Sequence, residues 1–214
     1  LRDYDPDLYR EARLGRYGAN GLKVLPQLVQ VAADIVDKQV QRIPDSLRFT
    51  GMDFGFETSY NAVIRCAVDE DNWILYVYHE YYKNKMTDDQ TAKEIAYMKN
   101  ELITADSEDP KAIRYYNLQG FRMRGCHKFA GSRLSNIRKV KRFKQIVIST
   151  ACPNCWNELK DLTYKKDPKT DEITYDQFNI DPHTFSAIWY ALDTYDMADL
   201  KSRERHSEKG AEVA

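Results

Sequence analysis

The chain of 214 residues has no long hydrophobic run and no excess of charge of one sign. No apolar stretch approaches the roughly 18 residues of a membrane-spanning helix, so we expect no membrane partner. Lys and Arg total 32 against 33 Asp and Glu, a formal net charge of −1. This balance excludes a uniformly basic nucleic-acid coat but allows a local basic face. The 43% of hydrophobic and 12% of aromatic residues exclude a chain that is disordered throughout.

Cysteine is scarce as well, with four in the chain. Cys152-Pro-Asn-Cys155 has the spacing of zinc and redox motifs, but no second pair of soft ligands accompanies it. Pro153 is typical of the first position of a helix, whereas a redox pair would follow the first strand of a βαβ unit. We therefore interpret the cysteines as structural, in a reducing compartment. No GxxxxGK[ST] motif occurs either, so the sequence shows no means of hydrolysing ATP.

Short runs of β-branched and aromatic residues begin the regular part of the sequence. They predict an antiparallel meander with strands over 47–56, 61–68 and 73–82. Helices and short strands then alternate: a helix begun by Thr87, a strand at 102–105, a helix from Asp109 to Gly120, a helix from Ser132 to about 143, a strand at 146–149, a helix over 153–164, a hairpin over 165–175 and a last helix from Asp181 to about Ala198. This order predicts an α/β fold, a ribonuclease H-like mixed β-sheet (antiparallel meander plus parallel strands) with helices on both faces.

The composition divides the chain into three segments. Residues 1–46 are polar and turn-rich, then mostly apolar from Val24 to Ile35. We expect an arm whose apolar part packs on the main domain as a helix or a strand. Residues 47–200 form the predicted domain, and residues 201–214 form a polar, mobile tail. Because the chain begins with Leu1 rather than Met, we expect it to be a piece of a longer protein.

Asp53 lies in the middle of a strand-like run, between Gly51 and Gly55. Aspartate is disfavoured inside strands, and a buried carboxylate is costly unless it is paired or binds a cation. The two glycines leave room for a ligand to approach the backbone. Asp53 is therefore a candidate site residue, and a solvent-exposed strand end is the alternative.

Asp106 follows the predicted strand at 102–105. Ligands of open α/β sheets collect beyond the carboxyl ends of parallel strands. Asp109, which directly precedes Pro110, is the better cap for the next helix. Asp106 is thus left without a structural role and becomes the second candidate, with Glu108 close to it in sequence.

A third cluster starts the last predicted helix. Asp181 before Pro182 is a strong N-cap pattern, which accounts for Asp181 by itself. His183 falls in the first turn, where the helix dipole favours a neutral imidazole that is able to bind a metal. Ser186 lies one turn later on the same face. Asp193 would lie about 15 Å further along the helix, too far to share an ion with His183.

One stretch of the chain concentrates its cations. No Asp or Glu occurs between Arg122 and Lys144. Most charge runs are solvated faces, but in a balanced chain this one favours a polyanionic partner. The loop ahead of the helix at Ser132 has backbone N–H groups to offer to a phosphate. The candidates for phosphate contacts are Lys128, Ser132, Arg133, Arg138, Lys139, Lys141 and Arg142.

Several of these segments, taken in order, resemble a known family: the C-terminal nuclease domain of the large terminase subunit of tailed bacteriophages. The second motif, Ala105-Asp106-Ser-Glu-Asp-Pro110, is similar to that of one branch of the family. A further stretch near the amino terminus resembles the link between the packaging ATPase and the nuclease. The matching segments are 9–18, 51–56, 104–110, 128–132, 152–158 and 183–190.

The resemblance implies a metal-dependent endonuclease that cuts concatemeric viral DNA during genome packaging, with little sequence specificity. It implies two divalent cations, Mn²⁺ or Mg²⁺, as cofactors. By position, Asp53 and Asp106 match the first two metal-binding aspartates, and His183 matches a histidine of some members. The usual third aspartate falls on Ser186. The remaining candidates for a third acidic or water-mediated ligand are Asp181, Glu108 and Ser186.

The implied partners are double-stranded DNA, the small terminase subunit, the portal protein and an N-terminal ATPase domain in the same chain. The implied location is the cytoplasm of the host bacterium during phage assembly, not the virion structure.

Two other interpretations of the function stay open. One is a different ribonuclease H-like nuclease, a junction resolvase or a ribonuclease. The other is a non-catalytic DNA-binding or docking module of the packaging motor, which the departure at Ser186 supports.

Overall fold

The computed structural model describes residues 23–55, 59–167, 169–170 and 172–196. The strands are β1 (Leu28–Val31), β2 (Arg48–Asp53), β3 (Tyr60–Asp69), β4 (Ile74–Asn84), β5 (Leu102–Ala105), β6 (Arg122–Gly125), β7 (Gln145–Ser149), β8 (Tyr164–Lys166) and β9 (Ile173–Phe178). Seven of them form one sheet in the order β1-β7-β4-β3-β2-β5-β6. β8 and β9 form a separate antiparallel pair, the hairpin predicted for this region.

The sheet has an antiparallel centre and parallel flanks. β3 runs antiparallel to both β2 and β4, which is the predicted meander. β5 is parallel to β2, β6 to β5, β7 to β4 and β1 to β7. The predicted mixed sheet is therefore confirmed. Because β2 and β5 are parallel neighbours, their carboxyl ends meet at the same edge of the sheet.

Helices cover both faces of the sheet, as predicted. They are α1 (Ala33–Val40), α2 (Asp88–Glu94), α3 (Pro110–Leu118), α4 (Ser132–Lys141), α5 (Pro153–Leu159) and α6 (His183–Ala191). Along β3, Ala62 and Ile64 belong to the core under α4, α5 and α6. Val63 and Ala67 point the other way, into cores that α1, α2 and α3 complete. Within the described residues, every helix is too short or too polar to cross a membrane.

The segment before residue 47 contributes to this sheet. The apolar stretch from Val24 to Ile35 divides into β1 and the start of α1. β1 pairs with β7 from Leu28 opposite Ile146 to Val31 opposite Ser149. The sheet thus begins inside the predicted arm, as its edge strand. The segment 9–18 and the predicted tail lie outside the described residues.

Several predicted helix ends differ in the structure. Thr87 forms a capping box with Gln90, but the helix that it starts ends at Glu94, and Leu102 lies in β5. α6 ends at Ala191 rather than near residue 198, and α5 ends at Leu159 rather than at 164. The apolar residues that follow Glu94 at helical spacing lie at a short 3₁₀ helix, Ala96–Met98, and not in a longer α-helix.

Candidate metal centre

Asp53 and Asp106 stand at the ends of adjacent parallel strands. Asp53 is the last residue of β2, and Asp106 directly follows β5. Met52 pairs with Ala105, one position earlier on each strand, and the Asp106 N–H donates to the Met52 carbonyl at 3.2 Å. Neighbouring strands lie about 4.8 Å apart. The two carboxylates therefore project from neighbouring points at one edge of the sheet.

Helix α6 lies closely against these strand ends. A Cβ atom on Gly51 would lie 2.0 Å from the Ala187 carbonyl oxygen and 2.4 Å from the Ala191 nitrogen, so only glycine allows this approach. His183 at the start of α6 and Tyr190 two turns later each contact one carboxylate. The His183 Nδ1 is 2.9 Å from Asp53 Oδ2, and the Tyr190 hydroxyl donates to Asp106 Oδ2 at 2.8 Å.

Asp53 and His183 form a shielded acid–base pair. Burial raises the pKa of Asp53 to about 6, although the hydrogen bond and charge of His183 act in the opposite direction. The bond to Asp53 in turn raises the pKa of His183, against the effect of burial. The contact with Asp53 therefore shifts the His183 pKa in the direction opposite to that expected from the helix dipole. The other ring nitrogen, Nε2, is 3.1 Å from the Ser59 hydroxyl.

Asp106 has a different environment, rich in donors. The Lys128 Nζ lies 2.6 Å from Oδ1, and the Glu108 N–H donates to the same oxygen at 2.8 Å. Burial of the Asp106 carboxylate raises its pKa, but these bonds and that of Tyr190 outweigh burial and hold the pKa below its ordinary value. Asp106 is thus held as an anion, whereas burial favours the protonated form of Asp53. As predicted, Asp109 caps α3, through a bond from the Ala112 N–H at 2.9 Å.

The three candidates for a further ligand lie around this pair in different ways. The charge of Asp181 raises the pKa of both Asp53 and His183, so it lies within electrostatic range of the centre. Ser186 is buried one turn after His183. Glu108 is 80% exposed and contacts the Lys128 Nζ at 2.7 Å. Within the described residues, no three His, Cys, Asp or Glu side chains converge into a ready-made metal cluster.

Asp181 does not cap α6, contrary to the sequence prediction. Pro182 occupies the N-cap position, and no side chain at that position accepts a hydrogen bond. The carboxylate of Glu158, in the last turn of α5, takes this role instead. It accepts the Thr184 N–H at 2.8 Å and the Thr184 hydroxyl at 2.5 Å through Oε2, and the Tyr82 hydroxyl at 2.6 Å through Oε1. Glu158 therefore anchors the end of α6 that carries His183.

The cations of the basic stretch differ in accessibility. Arg133 and Arg138 are exposed on α4, and Lys128 lies at the metal centre. The Lys139 Nζ donates to the Leu192 carbonyl at 2.9 Å. Lys141 is only 6% exposed, and its Nζ donates to the Tyr164 hydroxyl. The prediction of Lys141 as a phosphate contact is therefore wrong, because its amine lies inside the fold.

The remaining members of that set lie at the two ends of α4. Ser132 is the first residue of the helix and not its cap, since Gly131 with φ +82° holds the N-cap position. Arg142 is half-buried at the C-cap. The Arg133 guanidinium lies 5.4 Å from the centre of the Phe178 ring, and it borders an open cavity of about 530 Å³ that Asp181 also lines. This cavity places the exposed Arg133 cation on the same open surface as Asp181, two residues before His183.

Asp193 is held by residues of β6 and of the loop that follows it. Its carboxylate accepts the His127 N–H at 2.9 Å and lies 3.3 Å from Arg124, which ties down the loop after β6. The cysteines are all buried and free. Burial raises the pKa of the Cys66 and Cys152 thiols, which makes them inert and agrees with a structural interpretation.

Comparisons with known proteins identify the family to which the chain belongs. The family described as the terminase RNase H-like domain matches residues 53–194, and the chain belongs to this family. It is 56% identical over 203 residues to the large terminase subunit of the PBSX phage of Bacillus subtilis strain 168. That match covers 94% of this chain and 47% of the relative, so the chain spans about half of that relative's length.

Solved structures agree with this assignment. The nuclease domain of the bacteriophage SPP1 large terminase, solved with bound Mn, has a TM-score of 0.69 and 25% identity, over 78% of this chain and 96% of that one. The large terminase nuclease of phage G20c with bound magnesium has a TM-score of 0.52 and 14% identity, over 72% and 84% of the two chains. The predicted ribonuclease H-like fold and terminase family are thus confirmed.

Proposed function

We propose that this chain is a metal-dependent endonuclease that cuts concatemeric viral DNA during genome packaging, with little sequence specificity. The observation that carries the proposal is the juxtaposition of Asp53 and Asp106 at adjacent strand ends, with His183 in contact with Asp53. The bound Mn in the SPP1 nuclease supports it, because that domain has the same fold.

The donor set fits divalent cations. Carboxylate oxygens suit Mg²⁺ and Mn²⁺, and an imidazole favours Mn²⁺. The ammonium of Lys128 places a positive charge against the Asp106 carboxylate, which supports the proposal that this carboxylate binds a cation. Asp53, Asp106 and His183 would hold the ions, two in number, with Asp181, Glu108 or a water on Ser186 completing the set.

The ions would supply an activated water and would stabilise charge at the phosphate. The residues of this chain orient and shield that centre. Tyr190 and the Glu108 N–H fix the Asp106 carboxylate, and Glu158 anchors the helix end that carries His183. Asp53 takes part as an anion, so it has to lose its proton before it binds an ion.

The exposed cations of α4 would bind the DNA backbone. Arg133 borders the cavity that Asp181 lines, and Arg138 is exposed on the same helix. Phosphate contacts position a duplex without reading its sequence, which accounts for the weak sequence preference that we propose. Lys128, Ser132, Lys139 and Arg142 remain secondary candidates in this role.

The wider context follows from the family. We propose an N-terminal ATPase domain ahead of this chain and a tail over 201–214. The predicted boundary at residue 47 between arm and nuclease shifts toward the amino terminus, because β1 and α1 belong to the sheet and to the layer that covers it. The small terminase subunit and the portal protein would be its partners, in the host cytoplasm during phage assembly. The chain's length, about half that of its PBSX relative, supports a missing domain.

Nicking of supercoiled plasmid in the presence of Mn²⁺ tests the proposal. We expect nicking that EDTA abolishes and that Asp53→Ala and Asp106→Ala each reduce by at least about 100-fold, because each removes a metal ligand. Asp34→Ala, an exposed aspartate on α1, is the control and should leave nicking unchanged. Absence of nicking with any metal would favour the non-catalytic docking module instead. Cleavage confined to branched DNA or RNA hybrids would favour a resolvase or ribonuclease.

A further inference from the structure

The Lys128 ammonium bridges two carboxylates of unequal exposure. Its Nζ is 2.6 Å from Asp106 Oδ1 and 2.7 Å from Glu108 Oε1. The Asp106 side chain is 18% exposed, whereas that of Glu108 is 80% exposed. Lys128 thus pairs the shielded carboxylate of the metal centre with an acid at the surface.

The hydrogen bonds of Asp106 and its ion pair with Lys128 leave little room for a second cation at this carboxylate. Oδ1 accepts from the Glu108 N–H as well as from Lys128, and Oδ2 accepts from Tyr190. Mg²⁺ and Mn²⁺ need direct contact with a carboxylate oxygen. Two positive charges within a few ångströms of one oxygen repel each other strongly at a partly buried site. An ion that binds Asp106 on the side of Oδ1 therefore competes with the ammonium.

The side chain of Lys128 is free to leave without disturbing the core. The loop that carries it is anchored before Lys128 by the bond from the Cys126 N–H to the Ala105 carbonyl, at 2.8 Å. Beyond Lys128 the chain is exposed, with Phe129 at 59%. The lysine side chain itself is 32% exposed. Its displacement would break two ion pairs but no packing of the buried residues.

We propose that Lys128 is a displaceable counter-ion of Asp106: it neutralises the carboxylate before metal binds, and the incoming ion has to displace it. The inference rests on the proposed function, since it needs a metal ion at Asp106. Once displaced, the ammonium is available to a DNA phosphate near the centre. Metal binding and DNA binding then favour each other, by the same factor in both directions.

Titration calorimetry with Mn²⁺ tests the competition directly, without any measurement of cleavage. We expect Lys128→Met to bind Mn²⁺ about tenfold more tightly than the unchanged chain, because the competing cation is gone. Lys128→Arg keeps the positive charge against Asp106 and should stay within about twofold of the unchanged chain. Lys160→Met, at an exposed lysine at the end of α5, is the matched control and should have no effect, since salt screens a distant surface charge. Lys128→Gln is a second neutral variant for use if Lys128→Met does not fold.

The outcomes separate this inference from the proposed function. Equal Mn²⁺ affinity of the unchanged chain and both neutral variants, with binding abolished by Asp106→Asn, would overturn the counter-ion role and leave the metal centre standing. No Mn²⁺ binding by the unchanged chain or by the neutral variants would overturn both. A tenfold gain that Lys160→Met reproduces would also contradict the proposal, because it would show a general charge effect.

Discussion

At the residue scale, Asp53 and His183 bind protons as one unit. Their atoms are 2.9 Å apart, and both side chains are shielded from solvent. Burial raises the pKa of Asp53 to about 6, and the bond to Asp53 raises the pKa of His183. Both groups have to be deprotonated at the atoms that bind a metal ion.

Mn²⁺ affinity should therefore rise with pH. Between about pH 5 and pH 8 we expect a gain of at least tenfold, because protons compete for Asp53 and His183 over this range. Calorimetric titrations at several pH values measure it. Asp53→Asn should bind weakly at every pH and lose the part of the dependence that Asp53 contributes. An affinity of the unchanged chain that is independent of pH would contradict the assignment of these two ligands.

The same two pKa shifts affect the stability of the metal-free domain. The raised pKa of Asp53 contributes stability that is present below its ordinary value of 3.8 and is lost as pH rises to about 6. The raised pKa of His183 contributes stability that is present below 6.5 and is lost as pH rises through its folded value. Relative to Asp53→Asn, the unchanged chain should lose on the order of 2 kcal/mol between pH 4 and pH 8 in urea unfolding. If the unchanged chain instead became more stable relative to Asp53→Asn as pH rises, the predicted direction of the pH dependence would be wrong.

The position of the two aspartates could be predicted from local signals. Asp53 stands out as a carboxylate in a strand-like run, and Asp106 as an acid after a buried parallel strand whose helix is already capped by Asp109. The contacts of Lys128 and Tyr190 with Asp106 could not be predicted, because they depend on how distant segments pack. A basic run also does not reveal which of its lysines, here Lys141, is buried.

At the element scale, the position of α6 against β2 decides the geometry of the site. The helix lies so close that a Cβ atom at Gly51 would overlap backbone atoms of Ala187 and Ala191. Rigid backbone cannot yield as a flexible side chain would, so an added methyl group has to push the helix away. His183 and Tyr190 move with that helix.

Gly51→Ala should destabilise the domain by about 3 kcal/mol through overpacking. Gly131→Ala is the control, since nothing lies within 4 Å of its added Cβ atom and it bears only the strain of φ +82°. That strain costs about 1 kcal/mol. Urea unfolding measures both. Equal losses in the two variants would show that the contact of α6 with β2 is looser than the structure indicates.

Glu158 fixes the first turn of α6 from a neighbouring helix. Glu158→Ala leaves the Thr184 N–H and the Tyr82 hydroxyl without their acceptor, so we expect a loss of about 2 kcal/mol in the free energy of unfolding. Asn157→Ala, at the exposed position before it, should change stability by less than about 0.5 kcal/mol. A loss in the control as large as that in Glu158→Ala would contradict the anchoring role.

The elements differ in how well their sequence predicts them. The meander strands are rich in β-branched and aromatic residues and β5 is a short apolar run, and their pairing agrees with the prediction. β6 was not predicted, because Arg122-Met-Arg-Gly125 has no β-branched residue and forms a strand only by pairing with β5. The last helix was predicted too long because its apolar pattern continues past Ala191, where buried turn residues such as Leu192 and Tyr195 still pack on the core.

At the scale of the whole molecule, attraction to DNA depends on where charges lie, since the net charge is −1. Each phosphate contact adds about 0.9 to the slope of log affinity against log salt concentration. Arg138→Gln, at an exposed position, should reduce that slope by about this amount in anisotropy titrations of duplex DNA in EDTA. Lys141→Met should leave the slope unchanged and lower stability instead, because Lys141 is buried. A slope that is reduced in Lys141→Met but not in Arg138→Gln would contradict the assignment of the phosphate contact to Arg138.

The central claim is that Asp53 and Asp106 lie close enough to hold divalent ions between them, and a crystal of the domain soaked in Mn²⁺ tests it most directly. We predict anomalous difference peaks for Mn²⁺ ions that are coordinated by both carboxylates and by the His183 imidazole, with the Lys128 ammonium displaced from Asp106. Absence of a peak at these residues, or peaks bonded only to other side chains, would contradict the account.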